Sequence, residues 1–193
     1  MRYVGGMGEP ANFHPLRMTA DDFLDWAVEQ PKRPRYELVA GELVMMAPER
    51  SVHALVKARV WLALHRAIEV NGLKCTAYPD GMAVRIDDET VYEPDSLVRC
   101  GEPLADDEIK VTDPVVVVEV LSPSSRARDT GAKLEDYFRL PSVRHYLIVK
   151  TENRTVVHHR RLDDGTILTR IVRSDEIPLD PPGIAIALAA LFP

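Results

Sequence analysis

The chain is poor in several things, and each scarcity removes a class of answers. Two cysteines in 193 residues, Cys75 and Cys100, are too few and too far apart in sequence for a disulfide framework or a zinc cluster, so reduced thiols in a cytoplasmic protein are expected. Positive charge is short: 24 Lys and Arg against 30 Asp and Glu leave a net charge of -6 and a pI near 5.5. That excludes a globally basic nucleic-acid coat, though not a local basic groove. Long hydrophobic runs are missing as well. Apolar runs such as Val115 to Val118 and Ile184 to Leu191 fall far below the roughly 20 residues a membrane helix needs, so a soluble protein is expected. Residues 1–15 contain glycine and proline but no apolar core of a signal peptide, and a loose tail is expected there. No Gly/Ser-rich linker, internal repeat or low-complexity segment divides the remainder, so residues 16–193 are read as a single α/β (α+β) domain. There is also no phosphate-cradling glycine loop, nucleophile elbow or zinc-ligand spacing.

What is present is a regular alternation of helical and extended patterns. Thr19 with Asp22 three residues on resembles a capping box and starts a helix over Thr19 to Gln30, closed by Pro31 and Pro34. Tyr36–Val39 and Glu42–Met46 form a hairpin turned by Ala40-Gly41. Val56, Val60, Ala63, Leu64, Ala67 and Ile68 line one face of a second helix, Ser51 to Val70, which Asn71-Gly72 ends in left-handed geometry. Lys74–Tyr78, Met82–Ile86 and Val91–Val98 suggest a three-stranded meander, and the charged Glu102–Asp113 a surface loop. The apolar run Val115–Leu121 predicts a strand buried on both faces, broken by the loop from Ser122 to Ser125. A helix from Asp129 to Leu140 stops at Pro141, with Leu134, Tyr137 and Phe138 inward. Strands over Val143–Val149, Thr155–His159 and Thr166–Val172 follow, the first parallel to Val115–Leu121. Ile184–Leu191 caps the end.

Three residues between Tyr92 and Tyr146 draw the chemistry together. Glu119 lies in a strand otherwise made of valine and leucine, where an unpaired carboxylate would cost several kcal/mol, so it needs a partner. A divalent metal and a buried ion pair both satisfy that need. Asp95 follows Pro94, which cannot donate a ladder hydrogen bond and distorts the strand; the pair either re-aims a side chain or makes an ordinary turn. Lys133 lies one turn after Asp129 and is either an exposed i,i+4 partner or an ammonium lowered into a metal site. The His158-His159-Arg160-Arg161 run points alternately to two faces and is read as a solvated edge. Arg126, Arg128, Arg139 and Arg144 surround the central stretch, either as phosphate contacts or as a charged rim.

Six segments together resemble one family: Y-E-L-V-A-G-E-L from Tyr36, His53 at the head of the second helix, Pro94-Asp95, V-V-E-V-L-S-P-S-S from Val117, D-x-x-x-K-x-x-x-Y from Asp129 to Tyr137, and H-Y-L-I-V from His145. That family is the Uma-type restriction endonucleases, a branch of the PD-(D/E)XK nuclease superfamily. The resemblance implies a restriction-endonuclease-like core, a mixed β-sheet flanked by helices. It also implies Asp95 and Glu119 as metal-binding acids, with the backbone carbonyl of Val120 completing the protein's share, and Mg²⁺, or Mn²⁺ as a substitute, as the metal. The superfamily's lysine two residues after the glutamate is here Leu121, so Lys133 would have to replace it from the next helix. Glu37 and His53 match further family positions. Glu37 could add a carboxylate to the metal site and His53 could assist proton transfer, or both could be structural hydrogen-bonding groups. The reading that follows is a Mg²⁺-dependent endonuclease hydrolysing phosphodiester bonds in DNA. Its rival is a catalytically inactive nuclease-like module that binds nucleic acid or a protein partner. Cutting both strands of a duplex calls for two sites, so a homodimer is expected.

Overall fold

Capping side chains, proline and glycine mark several of the element boundaries. The computed structural model describes residues 17–30, 34–121 and 127–193, the side chains of 127–130 excepted. The expected tail over 1–15, the loop from Ser122 to Ser125 and Arg126 therefore lie outside the described residues, and of Arg128 only its place in a helix is described. Helix α1, Ala20–Glu29, starts where Thr19 Oγ1 accepts from the Asp22 amide at 3.2 Å and donates to the Asp22 carboxylate at 2.7 Å. Strands β1, Tyr36–Val39, and β2, Glu42–Met45, pair antiparallel around Ala40 and Gly41, whose φ values of 49° and 80° are those of a tight primed turn. Helix α2, Ser51–Val70, buries Val56, Val60, Leu64 and Ile68 at one-turn spacing. Only Gly72, at φ 61°, is left-handed after it; Asn71 stays in the right-handed region, in contrast to the sequence expectation.

The expected meander does not form. The stretch Val91–Val98 divides at Glu93-Pro94-Asp95, because Pro94 cannot continue a ladder. Its first half, β5, Val91–Tyr92, joins β4, Ala83–Arg85; its second, β6, Ser96–Cys100, joins β3, Cys75–Pro79. The segment expected to be a loop carries β7, Lys110–Val111, parallel to β4. The result is a five-stranded sheet in the order β2-β1-β5-β4-β7.

A six-stranded mixed sheet holds the centre: β11-β10-β9-β8-β6-β3. Here β8 is Pro114–Leu121, β9 His145–Lys150, β10 Thr155–Arg161 and β11 Ile167–Val172. Strand β8 runs parallel to β9 and antiparallel to β6. Val116, Val118 and Val120 point from it into a core shared with α2, while Val117 points into a second core with Tyr137, Tyr146 and the smaller sheet. Helix α3, Ala127–Tyr137, lies against that second face. The apolar cap at the end is a hairpin, β12, Glu176–Leu179, with β13, Ile184–Ala187, followed by a 3₁₀ turn at Leu188–Leu191. Burying each such aliphatic side chain contributes about 2 kcal/mol.

Two further expectations are corrected, and a choice left open at Arg139 and Arg144 falls to the charged rim. Cys75 and Cys100 face each other across β3 and β6 with Cα atoms 3.9 Å apart, and are joined as a disulfide rather than held as reduced thiols. His158 and His159 are buried, because β10 is an interior strand between β9 and β11 and not a solvated edge. Arg139 and Arg144 pair with acids, Asp87 at 2.8 Å and Asp163 at 2.6 Å respectively. Among the described residues, no helix is long and apolar enough to cross a membrane.

Candidate active site

Glu119 sits in the middle of the sheet because β8 is central, and its side chain emerges on the α3 face between Val117 and Leu121. Only 9% of the residue is accessible. Lys133 reaches it from α3, Nζ lying 2.9 Å from Oε1, and the Tyr137 hydroxyl, one turn further on, donates to the same oxygen at 2.9 Å. The Lys133 ammonium also donates to Glu37 Oε1 at 2.8 Å, while the Glu93 amide donates to that oxygen at 3.0 Å. Burial pushes the Glu119 carboxyl up to about 7; Lys133 pulls it down, and the charges of Asp95 and Glu37 push it higher. Burial alone would lower the Lys133 ammonium, but Glu119 and then Glu37 hold it well above its ordinary 10.5.

Asp95 lies in the bend before β6. Its neighbour Ser96 pairs with Val118, so Asp95 and Glu119 sit side by side at the same end of the two strands. The Asp95 side chain nevertheless turns toward α2. Oδ2 accepts from the Val120 amide at 2.6 Å, and Oδ1 lies 2.9 Å from Lys57 Nζ. His53, one turn before Lys57 on α2, donates from Nε2 to the Val120 carbonyl and stands 3.9 Å from Asp95 Oδ2. Asp95, Glu119, Lys133, Glu37, His53 and Val120 are thus gathered at one end of β8.

Lys57 was not singled out in the sequence, yet it is central. Its ammonium meets Glu49 at 2.6 Å and Asp80 at 2.9 Å in addition to Asp95. Burial would lower it, but Asp95 first and then Glu49 and Asp80 hold it well above 10.5. Arg35 closes the group by pairing with Glu49 at 3.2 Å, Asp80 at 3.0 Å and also Glu93. Glu49, Lys57, Trp61, Asp80 and Asp95 line a cleft of about 210 Å³ beside α2. The only sequence signal for Lys57 is its place beside Val56 and one turn from Val60 and Trp61, which the solvated flank of an amphipathic helix shares.

Residues 20–190 match the Uma2 family, described as "Putative restriction endonuclease". The chain belongs to the Uma2 family. Two proteins of Synechocystis are similar to it over most of their lengths. One, "Uncharacterized protein slr1290", is 25% identical over 178 residues, 91% of this chain and 92% of that one. The other, "Uncharacterized protein sll1609", is 26% identical over 152 residues, 76% and 82% of the two chains. A crystal structure described as "a putative nuclease belonging to DUF820", from Anabaena variabilis, superposes with a TM-score of 0.73, covering 91% of this chain and 97% of that one. At 15% identity that likeness is one of fold: the same α+β arrangement of helices on mixed sheets.

Uma2 membership makes the donor chemistry at Asp95 and Glu119 worth testing against a metal. Both offer carboxylate oxygens, and the Val120 carbonyl has a second lone pair beyond the one His53 engages. Among the described residues, no three or more His, Cys, Asp or Glu side chains surround one cation position. Mg²⁺ is commonly bound by one or two carboxylates, with waters and substrate phosphates filling the rest, so a full protein cage is not required. Burial above all raises the proton affinity of Glu119, and a cation beside it would favour the charged form. The oxygen donor set fits a hard divalent cation.

Proposed function

We propose that this chain is a Mg²⁺-dependent endonuclease, with Mn²⁺ as a possible substitute, that hydrolyses phosphodiester bonds in DNA. The observation that carries the reading is that Asp95 and Glu119 lie in neighbouring register at one end of β8, with Lys133 paired to Glu119, in a chain of the Uma2 family. Asp95, Glu119 and the Val120 carbonyl are the metal ligands in this reading, and a bound Mg²⁺ would supply Lewis-acid polarisation of the phosphate and a more acidic water.

The chain's own groups do the positioning. Lys133 stands in for the lysine that Leu121 displaces from the strand: Glu119 and Glu37 engage two of its three N–H donors among the described residues. A third can orient a water or meet a phosphoryl oxygen. His53 holds a proton on Nε2 against the Val120 carbonyl, beside Asp95, where it can assist proton transfer. Glu37 keeps the ammonium over the site. A two-fold dimer would supply the second site needed for a duplex. DNA as substrate makes the cytoplasm the place of action, where the Cys75–Cys100 disulfide would meet reducing conditions.

The test is nicking of supercoiled DNA with Mg²⁺ or Mn²⁺ by the parent, Asp95→Ala and Glu119→Ala proteins, purified alike. Cleavage by the parent and its loss in both variants is the expected result. No cleavage by the parent, or equal cleavage by all three, overturns the reading in favour of a nuclease-like module that binds nucleic acid or a protein partner without cutting.

A further inference from the structure

Helix α2 spends a core position on Lys57, only 5% accessible, in the stripe that otherwise buries Val56, Val60 and Leu64. An ammonium has three N–H donors; here Glu49 and Asp80 accept hydrogen bonds from it, and Asp95 Oδ1 forms an ion pair with it at 2.9 Å. Glu49 comes from just before α2, Asp80 from the turn after β3, and Asp95 from the bend before β6. Arg35 compensates the first two acids at 3.2 Å and 3.0 Å. Among the described residues, Asp95 pairs with Lys57 and the Val120 amide, has His53 Nε2 3.9 Å away, and meets no arginine.

Asp95 needs such an anchor. Pro94 precedes it and the ladder of β6 begins only at Ser96, so backbone pairing does not fix its carboxylate. A single amide donor, Val120 N–H on Oδ2, leaves the group free to swing about its last torsion. A second donor on the other oxygen removes that freedom. We propose that Lys57 is the positioning residue for Asp95: held from behind by Glu49 and Asp80, its ammonium clamps Oδ1 so that Oδ2 stays on the Val120 amide at the end of β8. The inference rests on the nuclease reading only for what Asp95 does next.

The experiment uses the full chain labelled with ¹⁵N. The Val120 amide reports the clamp, since a short bond to a carboxylate shifts its proton downfield and slows its exchange with solvent. In Lys57→Met the Val120 amide is expected to move upfield and exchange about tenfold faster, while those of Val116 and Val118 on the same strand do not change. Lys57→Arg should restore it in part. Because buried Asp95 and its two more exposed neighbours would all lose their cation, which could prevent folding, the same substitution is also made in a Glu49→Gln, Asp80→Asn background, which retains Asp95. Calorimetry with Mn²⁺ provides the second readout. Lys57→Met should weaken binding about tenfold, and should cost nothing further when added to Asp95→Asn. An unchanged Val120 amide in a folded Lys57→Met protein overturns the proposal. So does uniform loosening of every β8 amide, which would make Lys57 a general tie between helix and sheet. If the parent takes up no Mn²⁺, the nuclease reading fails and the amide measurement still decides the role of Lys57.

Discussion

Lys133 Nζ lies 2.9 Å from Glu119 Oε1, joining a helix to the central strand that precedes it in the chain. The contact resolves a conflict set up in the sequence, where an acid inside a valine-rich strand has no cation two residues on. The ammonium arrives 14 residues later, from the helix that packs against the same face. Glu37 on its other side makes the group an acid–base–acid row rather than a simple pair.

Replacing Lys133 by methionine leaves Glu119 buried without its cation. Breaking such a pair costs about 3 kcal/mol where the acid stays charged. Glu119, already pushed up to about 7, escapes by taking a proton. Urea unfolding of Lys133→Met should therefore show the full loss at pH 8 and a much smaller one at pH 5. Equal losses at both pH values would mean that Lys133 contributes packing and not charge.

The carboxyl of Glu119 also gives stability a pH dependence of its own. Its folded value is raised from the ordinary 4.5 to about 7, so the native state holds a proton that the unfolded chain has lost. The resulting stabilisation is fully present below about 4.5 and is lost as pH rises through about 7, a change of about 3 kcal/mol. Glu119→Gln cannot titrate. Unfolding free energies measured from pH 4 to 8 should show the variant gaining on the parent across that window, and a constant difference would refute the assignment.

Much of the frame was legible because local physics and tertiary context agreed there. Helix α2 begins at Ser51 and ends at Val70 as its apolar spacing and Asn-Gly terminus require, and β8 is central as its unbroken valines demand. Pairing was less legible: Pro94 announces a distorted strand, but alternation marks a strand and not its neighbour, so it does not say that β5 and β6 join different sheets. Glu119 and Asp95 stood out because a charge or a proline interrupted a pattern. Lys57 was hidden because a lysine beside Val56 passes for the solvated flank of an amphipathic helix until its three acids, remote in sequence, are in place.

Sequence separation gave no warning of the cysteine pair either, since register alone sets Cys75 opposite Cys100. The bond closes a loop with a separation of 25 residues, which in the chain-entropy account stabilises the fold by about 3 kcal/mol. Urea unfolding with and without reductant should differ by that order in the parent, and not at all in a Cys75→Ser, Cys100→Ser protein. A parent indifferent to reductant would show that the bond does not form in solution.

Acid should act on the protein through a second buried pair. His145 Nδ1 and His158 Nε2 are 2.9 Å apart on neighbouring strands, so at most one imidazole proton lies between them. Burial lowers His145 to about 4, with Arg160 and Arg144 adding to the effect against the Asp180 and Pro181 backbone. Burial likewise lowers His158 to about 3, reinforced by His145, Arg170, His159 and Arg160. Both histidines are neutral when folded and take protons when unfolded below about 6.5, so their stabilisation is present above that value and lost as pH falls toward 4 and then 3. This slope opposes that of Glu119 between about 4.5 and 6.5 and, with two groups against one, should dominate there. Stability of the parent should fall by about 3 kcal/mol or more between pH 6.5 and 4. His158→Gln, which retains a neutral polar side chain beside His145, should lose a large part of that dependence. If the variant and the parent show the same acid limb, the histidine pair is not its source.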